Sequence, residues 1–524
     1  MTERKQQAPR KRGKGSDRIG RMTGGENEPA RFVEGAMPPA RETFDAERVV
    51  DEMGMWWKSG GGGNFVLGSP ERGWAIWPEQ GIVDMLREDY CVQIKAAENE
   101  RLSESKRVFL CARKTRCLDE VFPALAGYDS GVHTLATGER VLIKTQPRVI
   151  EPAEGSWETI RAVIEGLLST GVEGIDQTDY FYSWCQISYL ALRDGRPGRR
   201  RPGHAMIIAS PRGSGKSFLQ NHVLTPLLGG READPQKFLF GSDDFNGDVA
   251  AAEHLCLSEV PSSQKTVDRI ALAETIKQIV ANPLQRMRLM RTEPWPIHPF
   301  WRLTITLNDN PDKLRSLPPI SDDYGDKVLI FHGKGTPMPM PTSTEEQRRI
   351  FADQVASELP AFVHWLTEEW EIPAELLTYA DGTDATRFGF REYHHAVVRD
   401  GLFDETPQAE LLALIDMAVF EDRSSGAKNL KLWDLPSYEG ANAGIEGKSW
   451  HGPAIELENL LKGQGGYACT VSSQMIDMIK NNRLTTLLSR LHAHPEVGEG
   501  KRICKADVRR WKGWLIGCPG DRLK

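Results

Sequence analysis

Apolar positions along the chain fall into two spacings, and each predicts its own kind of element. Runs of strand length that end in polar residues occur at Ala205-Met206-Ile207-Ile208-Ala209, at His254-Leu255-Cys256-Leu257 and at Trp301-Arg302-Leu303-Thr304-Ile305-Thr306-Leu307. Asn64 to Leu67 and Gly73 to Trp77 read as two further strands around the turn Gly68 to Arg72, and Val141 to Lys144 as another. Helical spacing dominates residues 156 to 193 and returns after the 205–209 strand through Leu219, Val223 and Leu227, stopping at Gly229-Gly230. Toward the C-terminus Trp450–Leu461, Ser472–Ile479 and Asn482–His492 read as three helices. The last carries Leu484, Leu487, Leu488 and Leu491 on one side, and a basic extended stretch from Lys501 to Trp514 follows.

Length and charge divide this pattern into regions. The 524 residues have room for several domains, and 40% hydrophobic with 27% charged is a soluble globular balance. The net charge of -7 is uneven: Glu345 to Asp422 holds 18 acidic against 5 basic residues, so the remainder is net basic. The expected division is a disordered basic arm at 1–40, a small mixed α/β accessory region at 41–155, a strand-and-helix core at 156–340, an acidic helical region at 341–440 and a basic C-terminal module at 441–524. Trp56, Trp57, Trp74 and Trp77 are expected as core or domain contacts rather than a base-stacking platform. No apolar run approaches a membrane span, and the first 22 residues lack the apolar segment of a secretory signal, so a cytoplasmic protein with no membrane contact is expected. The eight cysteines are scattered and read as reduced thiols.

The chemistry concentrates after the 205–209 strand. Ser210-Pro211-Arg212-Gly213-Ser214-Gly215-Lys216-Ser217, followed by a helix from Phe218, is a strand, glycine loop and helix, the context of a P-loop. Phosphate needs backbone N–H groups curled around it, a lysine on the β/γ-phosphates and a hydroxyl for Mg²⁺. Gly213, Ser214, Gly215, Lys216 and Ser217 supply these, with Ser210 where the strict pattern has Gly, so ATP and Mg²⁺ are the expected cofactors. Glu259 follows 42 residues after Ser217 at the end of the second strand, placed to orient or activate water and to face the metal. Ser258 stands where an Asp usually precedes that acid, so Asp243 or Glu253 are alternatives for completing the metal shell. At the tip of the third strand, Asn308 is placed to bond both γ-phosphate and water.

The order Gly213-Ser-Gly-Lys-Ser217, Leu255-Cys-Leu-Ser-Glu259 and Ile305-Thr-Leu-Asn308 resembles the superfamily 3 helicases. The likeness is greatest to the helicase module of phage and plasmid primase-polymerases and primase-helicases, supported by Phe245-Asn246, Ala252 to Leu255, Phe300 to Arg302 and Asp326 to Val328. It covers residues 180–335 well and 336–524 loosely. The resemblance implies an AAA+-like parallel-sheet ATPase core, DNA translocation and a homo-oligomeric ring, commonly of six subunits. It also implies a cation acting in trans on the neighbour's nucleotide. Gly325-Asp326-Lys327 stands where many relatives carry an arginine, which leaves Lys327 and Arg315 as candidates.

Nucleic-acid contacts are expected in two places. Leu284 to Arg291 sets Arg286 and Arg288 on one face of an extended segment and Met287 and Leu289 on the other, with Arg291 at its end. In the resembling helicases a hairpin just before the asparagine strand grips DNA phosphates. The C-terminal order of helices and basic hairpin is the outline of a winged helix, with Arg483, Arg490, Lys505, Arg509 and Arg510 as duplex contacts. Residues 41 to 190 hold no convincing Asp-x-Asp/Glu hairpin with a distant His, so no priming is expected of them: either the region is a degenerate or accessory part, or the primase or polymerase is another chain. Two functions follow: an ATP-dependent DNA helicase of replication, or a DNA-binding replication or maintenance factor that uses ATP as an assembly switch without unwinding.

Overall fold

A strand apolar from Ala205 through Ala209 needs covering on both faces and pairing on both edges, and Ala205–Ser210 obtains all four. The computed structural model describes residues 44–59, 64–98, 100–240, 245–260, 266–289, 293–314, 316–403, 407–421, 433–434, 448–461, 483–493, 502–508 and 511–517. Ala205–Ser210 lies inside a six-stranded, wholly parallel sheet in the order Tyr393–His394, Val328–His332, Ala205–Ser210, Arg302–Asn308, His254–Leu257, Glu232–Ala233. The asparagine strand thus runs between the glycine-loop strand and the acid strand, with Asn308 level with Ser210.

Alternation along these strands builds two cores. Met206, Ile208, Leu329 and Phe331 face the helices Glu158–Leu168, Gln177–Arg193 and Glu345–His364, while Ile207, Leu255, Ile305 and Ile330 face the helix Thr266–Ala281. Asp176 and Asp179 form a capping box that starts the helix Gln177–Arg193. Gln177 then fastens that helix to the sheet by donating to the His332 carbonyl at 2.8 Å.

The polar residues of the middle strands form a closed network under the helix that follows the glycine loop. That helix runs through Lys216–Phe218, a π-helical stretch Leu219–Leu224 and Thr225–Leu227, ending at Gly229 and Gly230 with positive φ. Gln220 donates to Thr304 Oγ1 at 2.8 Å and accepts from Thr306 Oγ1 at 3.0 Å. His254 bonds Thr225 Oγ1 through Nδ1 and Thr304 Oγ1 through Nε2, both at 2.7 Å. The Thr225 hydroxyl proton goes to Glu232 at 2.7 Å, so Nδ1 must carry the ring proton and Nε2 accepts.

The accessory region is two small sheets. Gly73–Pro78, Asn64–Ser69, Met55–Lys58 and Cys117–Leu118 form one; Glu120–Ala124, Arg140–Thr145 and Gly131–Thr134 form the other. The helices Ala46–Met53, Glu79–Glu88 and Glu104–Thr115 add to the strands that patterning had indicated. Trp56 and Trp74 pack between the sheets, whereas Trp77 is exposed. A buried ion pair ties this region to the core. Glu253 is fully buried, pairs with Arg231 and accepts from Gly127 N at 2.6 Å, and Arg231 also donates to Leu125 and Thr145 carbonyls. Engaged in this way, Glu253 is not available to a metal at the glycine loop.

At the C-terminal end, Lys448–Gly452, Ile503–Val508 and Trp511–Gly517 pair antiparallel beside Trp433–Asp434. They share one core with the helices Pro407–Ile415, Ala454–Leu461 and Arg483–Ala493. Trp450 to Gly452, expected as helix, are strand: Pro453 has no N–H to continue the ladder, and the chain turns into helix just after it. The basic arm, Gly60 to Gly63, Asp243, Arg291, Arg315, the 472–479 helix, the Arg483 side chain, Arg509 and Arg510 lie outside the described residues. Among the described residues no helix is long and apolar enough to cross a membrane.

The buried polar groups make the stability of the fold depend on pH and on one ion pair. Burial pulls the pKa of His254 and of His204 from 6.5 down to about 3. Unfolded, each takes a proton near pH 6.5; folded, each stays neutral until far lower, so the unfolded state binds more protons in between and stability falls as pH drops. Denaturant titrations should register a loss of about 2 kcal/mol per histidine between pH 8 and pH 5. Equal stability at both would mean that the imidazoles are not held neutral. Glu253→Ala strands the Arg231 guanidinium and should cost about 3 kcal/mol, read as a fall in the thermal midpoint.

Candidate functional site

The C-terminal ends of parallel strands point the same way, so the glycine loop, Asn308 and the residues after Leu257 meet at one edge of the sheet. They enclose a cavity of about 650 Å³ lined by Gly213, Gly215, Lys216, Ser217, Glu259 and Asn308, among others. Ser214 and Phe218 also line it, as do Arg212, Ser258 and Lys313.

The loop takes its shape from two glycines in the left-handed region, Gly213 at φ 79° and Gly215 at φ 92°, where a side chain would be strained. At Gly215 a Cβ would also meet Met338 Sδ at 2.5 Å. Ser210 needs no such freedom, because it is still the last residue of its strand. Its buried hydroxyl pairs with Ser214 Oγ at 2.6 Å, which closes the base of the loop.

Lys216 is buried, and its Nζ donates to the carbonyls of Ser210 at 2.9 Å and Pro211 at 3.0 Å and reaches Asn308 Oδ1 at 3.4 Å. The ammonium is thus held by neutral oxygens, and desolvation lowers its pKa against the opposing pull of Asp309. These are bonds that an anion could take over. Phe218 stacks on Phe351 at 4.2 Å, pinning the first helical turn to the Glu345–His364 helix.

Glu259 and Ser258 are exposed at the cavity wall, and the Ser258 carbonyl accepts from Thr306 Oγ1 at 3.3 Å. The network through Gln220 and Thr306 therefore sets the spacing between the glycine-loop helix and the acid strand. No polarity pattern singled out Gln220, Thr304 or Thr306, since their roles exist only once the strands are neighbours. Asp309, also unanticipated, crosses above Ser210 to bond His332 Nε2 at 3.1 Å, so three strand ends are tied together behind the loop.

Other expected residues lie away from this cavity. Lys327 is mostly buried, bonds Asp326 Oδ1 at 2.5 Å and the Asp323 carbonyl, and precedes the strand Val328–His332. It therefore sits at the opposite edge of the sheet, about 17 Å of strand from the loop. Arg286 is exposed on the antiparallel hairpin Gln285–Met287 with Trp295–Ile297, while Met287 is buried; Arg288 is likewise exposed just beyond. Asn246 clamps this strand, donating to Arg286 O at 2.9 Å and accepting from Arg288 N at 2.7 Å. Met287 and Ile297 pack with Phe122, Leu125 and Ile143, so the hairpin rests on the accessory region. Arg490 is exposed on Arg483–Ala493, and exposed Lys505 lies 5.8 Å from the Trp514 ring. Glu232, His254 and Cys256 converge as a metal cluster would, but the lone pair of His254 already accepts from Thr304.

Residues 208–323 match a family described as "Family of unknown function (DUF5906)". No curated protein matches the chain. Among solved structures, the chain is similar to "The A form apo structure of NrS-1 C terminal region-CTR" at TM-score 0.50 and 11% identity, with 90% of this chain and 98% of that one covered. It is similar also to "The apo structure of NrS-1 C terminal region (305-718)" at TM-score 0.50 and 12% identity, with 91% and 99% covered. At such identities the likeness to the C-terminal region of NrS-1 is one of fold alone.

Proposed function

We propose that this chain is an ATP-hydrolysing motor of the P-loop, AAA+-like kind that works on DNA, a helicase of replication. The observation that carries the reading is the meeting of Gly213, Gly215, Lys216, Asn308 and Glu259 around one cavity at the C-terminal edge of a parallel sheet. Ser210 to Ser217 bind the phosphates, with Lys216 exchanging its carbonyl partners for phosphate oxygens and the Ser217 hydroxyl holding Mg²⁺. Mg²⁺ neutralises charge on the β- and γ-phosphates when bound. Glu259 orients the attacking water and accepts its proton, and Asn308, within reach of Lys216, fixes the geometry between them.

The likeness to the NrS-1 C-terminal region agrees with the fold that this function requires. DNA is gripped by the exposed Arg286 and Arg288 of the hairpin, and duplex by the C-terminal module through Arg490 and Lys505. In a ring of copies of this chain, Lys327 of one subunit serves the cavity of the next. A second reading, ATP binding as an assembly switch without unwinding, is favoured by one observation: Ser258 leaves Glu259 as the sole acid among the described residues that line the cavity.

Lys216→Ala should weaken ATP binding at least about ten-fold by calorimetry, since it removes the one ammonium buried at the loop. Glu259→Gln should bind ATP within about two-fold of the parent yet turn it over about a hundred-fold more slowly. Turnover stimulated by single-stranded DNA decides between the readings; binding without DNA-stimulated hydrolysis would leave the switch.

A further inference from the structure

Two guanidinium groups are buried at the edge of the sheet opposite the glycine loop, and among the described residues neither has a paired counter-charge. Arg302, at 4% exposure, opens its strand and donates to Ser188 Oγ at 3.0 Å, Trp301 O at 3.0 Å and Arg201 O at 2.9 Å. Arg200 donates through Nη2 to Gly127 O, while its Nε and Nη1 are buried with no partner. Their Cζ atoms lie 4.7 and 5.7 Å from the Phe300 ring. Among the described residues neither forms an ion pair; Asp129 and Glu253 act on Arg200 only at a distance, and Glu253 belongs to Arg231.

Burial of a charge without a paired counter-charge is strongly unfavourable, and neutral carbonyls and a ring face offset only part of it. Both groups respond in the expected direction: burial and mutual repulsion pull Arg302 down to about 9 and burial lowers Arg200. The arrangement lacks an anion. It also has room for one, because Arg200, Arg201, Arg302, Gln285 and His298 line a cavity of about 260 Å³.

We infer that this cavity binds a phosphate group of a nucleic-acid strand. The anion follows from Arg200 and Arg302 alone; that it belongs to a polymer rests in addition on the DNA-handling function proposed above and on two features of the rim. Arg196, Arg199 and Arg201 are exposed on the same loop, unpaired with acids among the described residues, and extend positive charge beyond the reach of a single phosphate. Gln285, in the lining, neighbours Arg286 on the hairpin, so one strand of nucleic acid could engage loop and hairpin in succession.

The test uses the full chain and two probes. Anisotropy of fluorescein-labelled dT20 against salt should show Arg200→Gln binding about ten-fold more weakly than the parent, with the slope of log K on log salt reduced by about 0.7 for each phosphate that is no longer neutralised. ATP affinity should stay at the parental value. Inorganic phosphate should raise the melting temperature of Lys216→Ala, in which the glycine loop is disabled, and should not raise that of Lys216→Ala/Arg200→Gln. Unchanged dT20 affinity and slope would overturn the nucleic-acid assignment, and a phosphate response that survives in the double variant would overturn the site. If Arg200→Gln does not fold, Arg199→Gln/Arg201→Gln on the rim should lower the slope by about 1.4, and no change there would overturn the polymer. Loss of DNA binding here with normal ATP turnover, or the reverse, separates this pocket from the proposed motor.

Discussion

Three parallel strands in fixed register are the constraint on which this molecule depends. Ala205–Ser210 pairs along its length with Arg302–Asn308 on one edge and Val328–His332 on the other, so Asn308 is level with Ser210 and His332 with Ala209. A slip of one residue would turn Met206 and Ile208 toward the wrong core and carry Asn308 off the level of Lys216. Packing on two faces is thus also what sets the site geometry, and the Asp309 to His332 bond locks the ends a second time.

Buried polar groups divide the remaining work. One set is fully satisfied: the His254, Thr304, Gln220 and Thr306 network joins helix to strands, and Glu253 with Arg231 joins the accessory region to the sheet. Such groups specify one arrangement, because any other leaves a partner unbonded in a low-dielectric interior. A second set meets only neutral oxygens, namely Lys216 at one edge of the sheet and Arg302 with the partly unsatisfied Arg200 at the other. Cations in that condition are ready for anions, and it is on these two edges that the proposed nucleotide and strand sites rest. The hairpin bearing Arg286 leans on the accessory region through Met287 and Phe122, which joins the N-terminal sheets to the core region.

The sequence by itself determined the strands at 205, 254 and 302, because an apolar run of strand length bounded by polar residues has few other folds open to it. It determined the loop with Gly213, Gly215 and Lys216, since phosphate chemistry narrows the residue types and their spacing is local. The helix at 483 and the hairpin after 503 were legible for the same reason of periodicity. Trp450 to Gly452 were misread because an apolar run beside a helix carries no mark of which residues will pair with a strand 60 positions later.

Everything that depends on a distant partner was decided by the tertiary structure. Glu253 looked like a spare acid for the metal and proved to be half of a buried ion pair with Arg231. Thr304, Thr306 and Gln220 looked like ordinary polar residues on a strand and a helix. Arg200 and Arg302 looked like two charges among many, and only folding put both over one phenylalanine without an acid. The physical reason is common to these cases: a residue's type limits the bonds it can make, but burial and the choice of partner come from segments tens to hundreds of residues away.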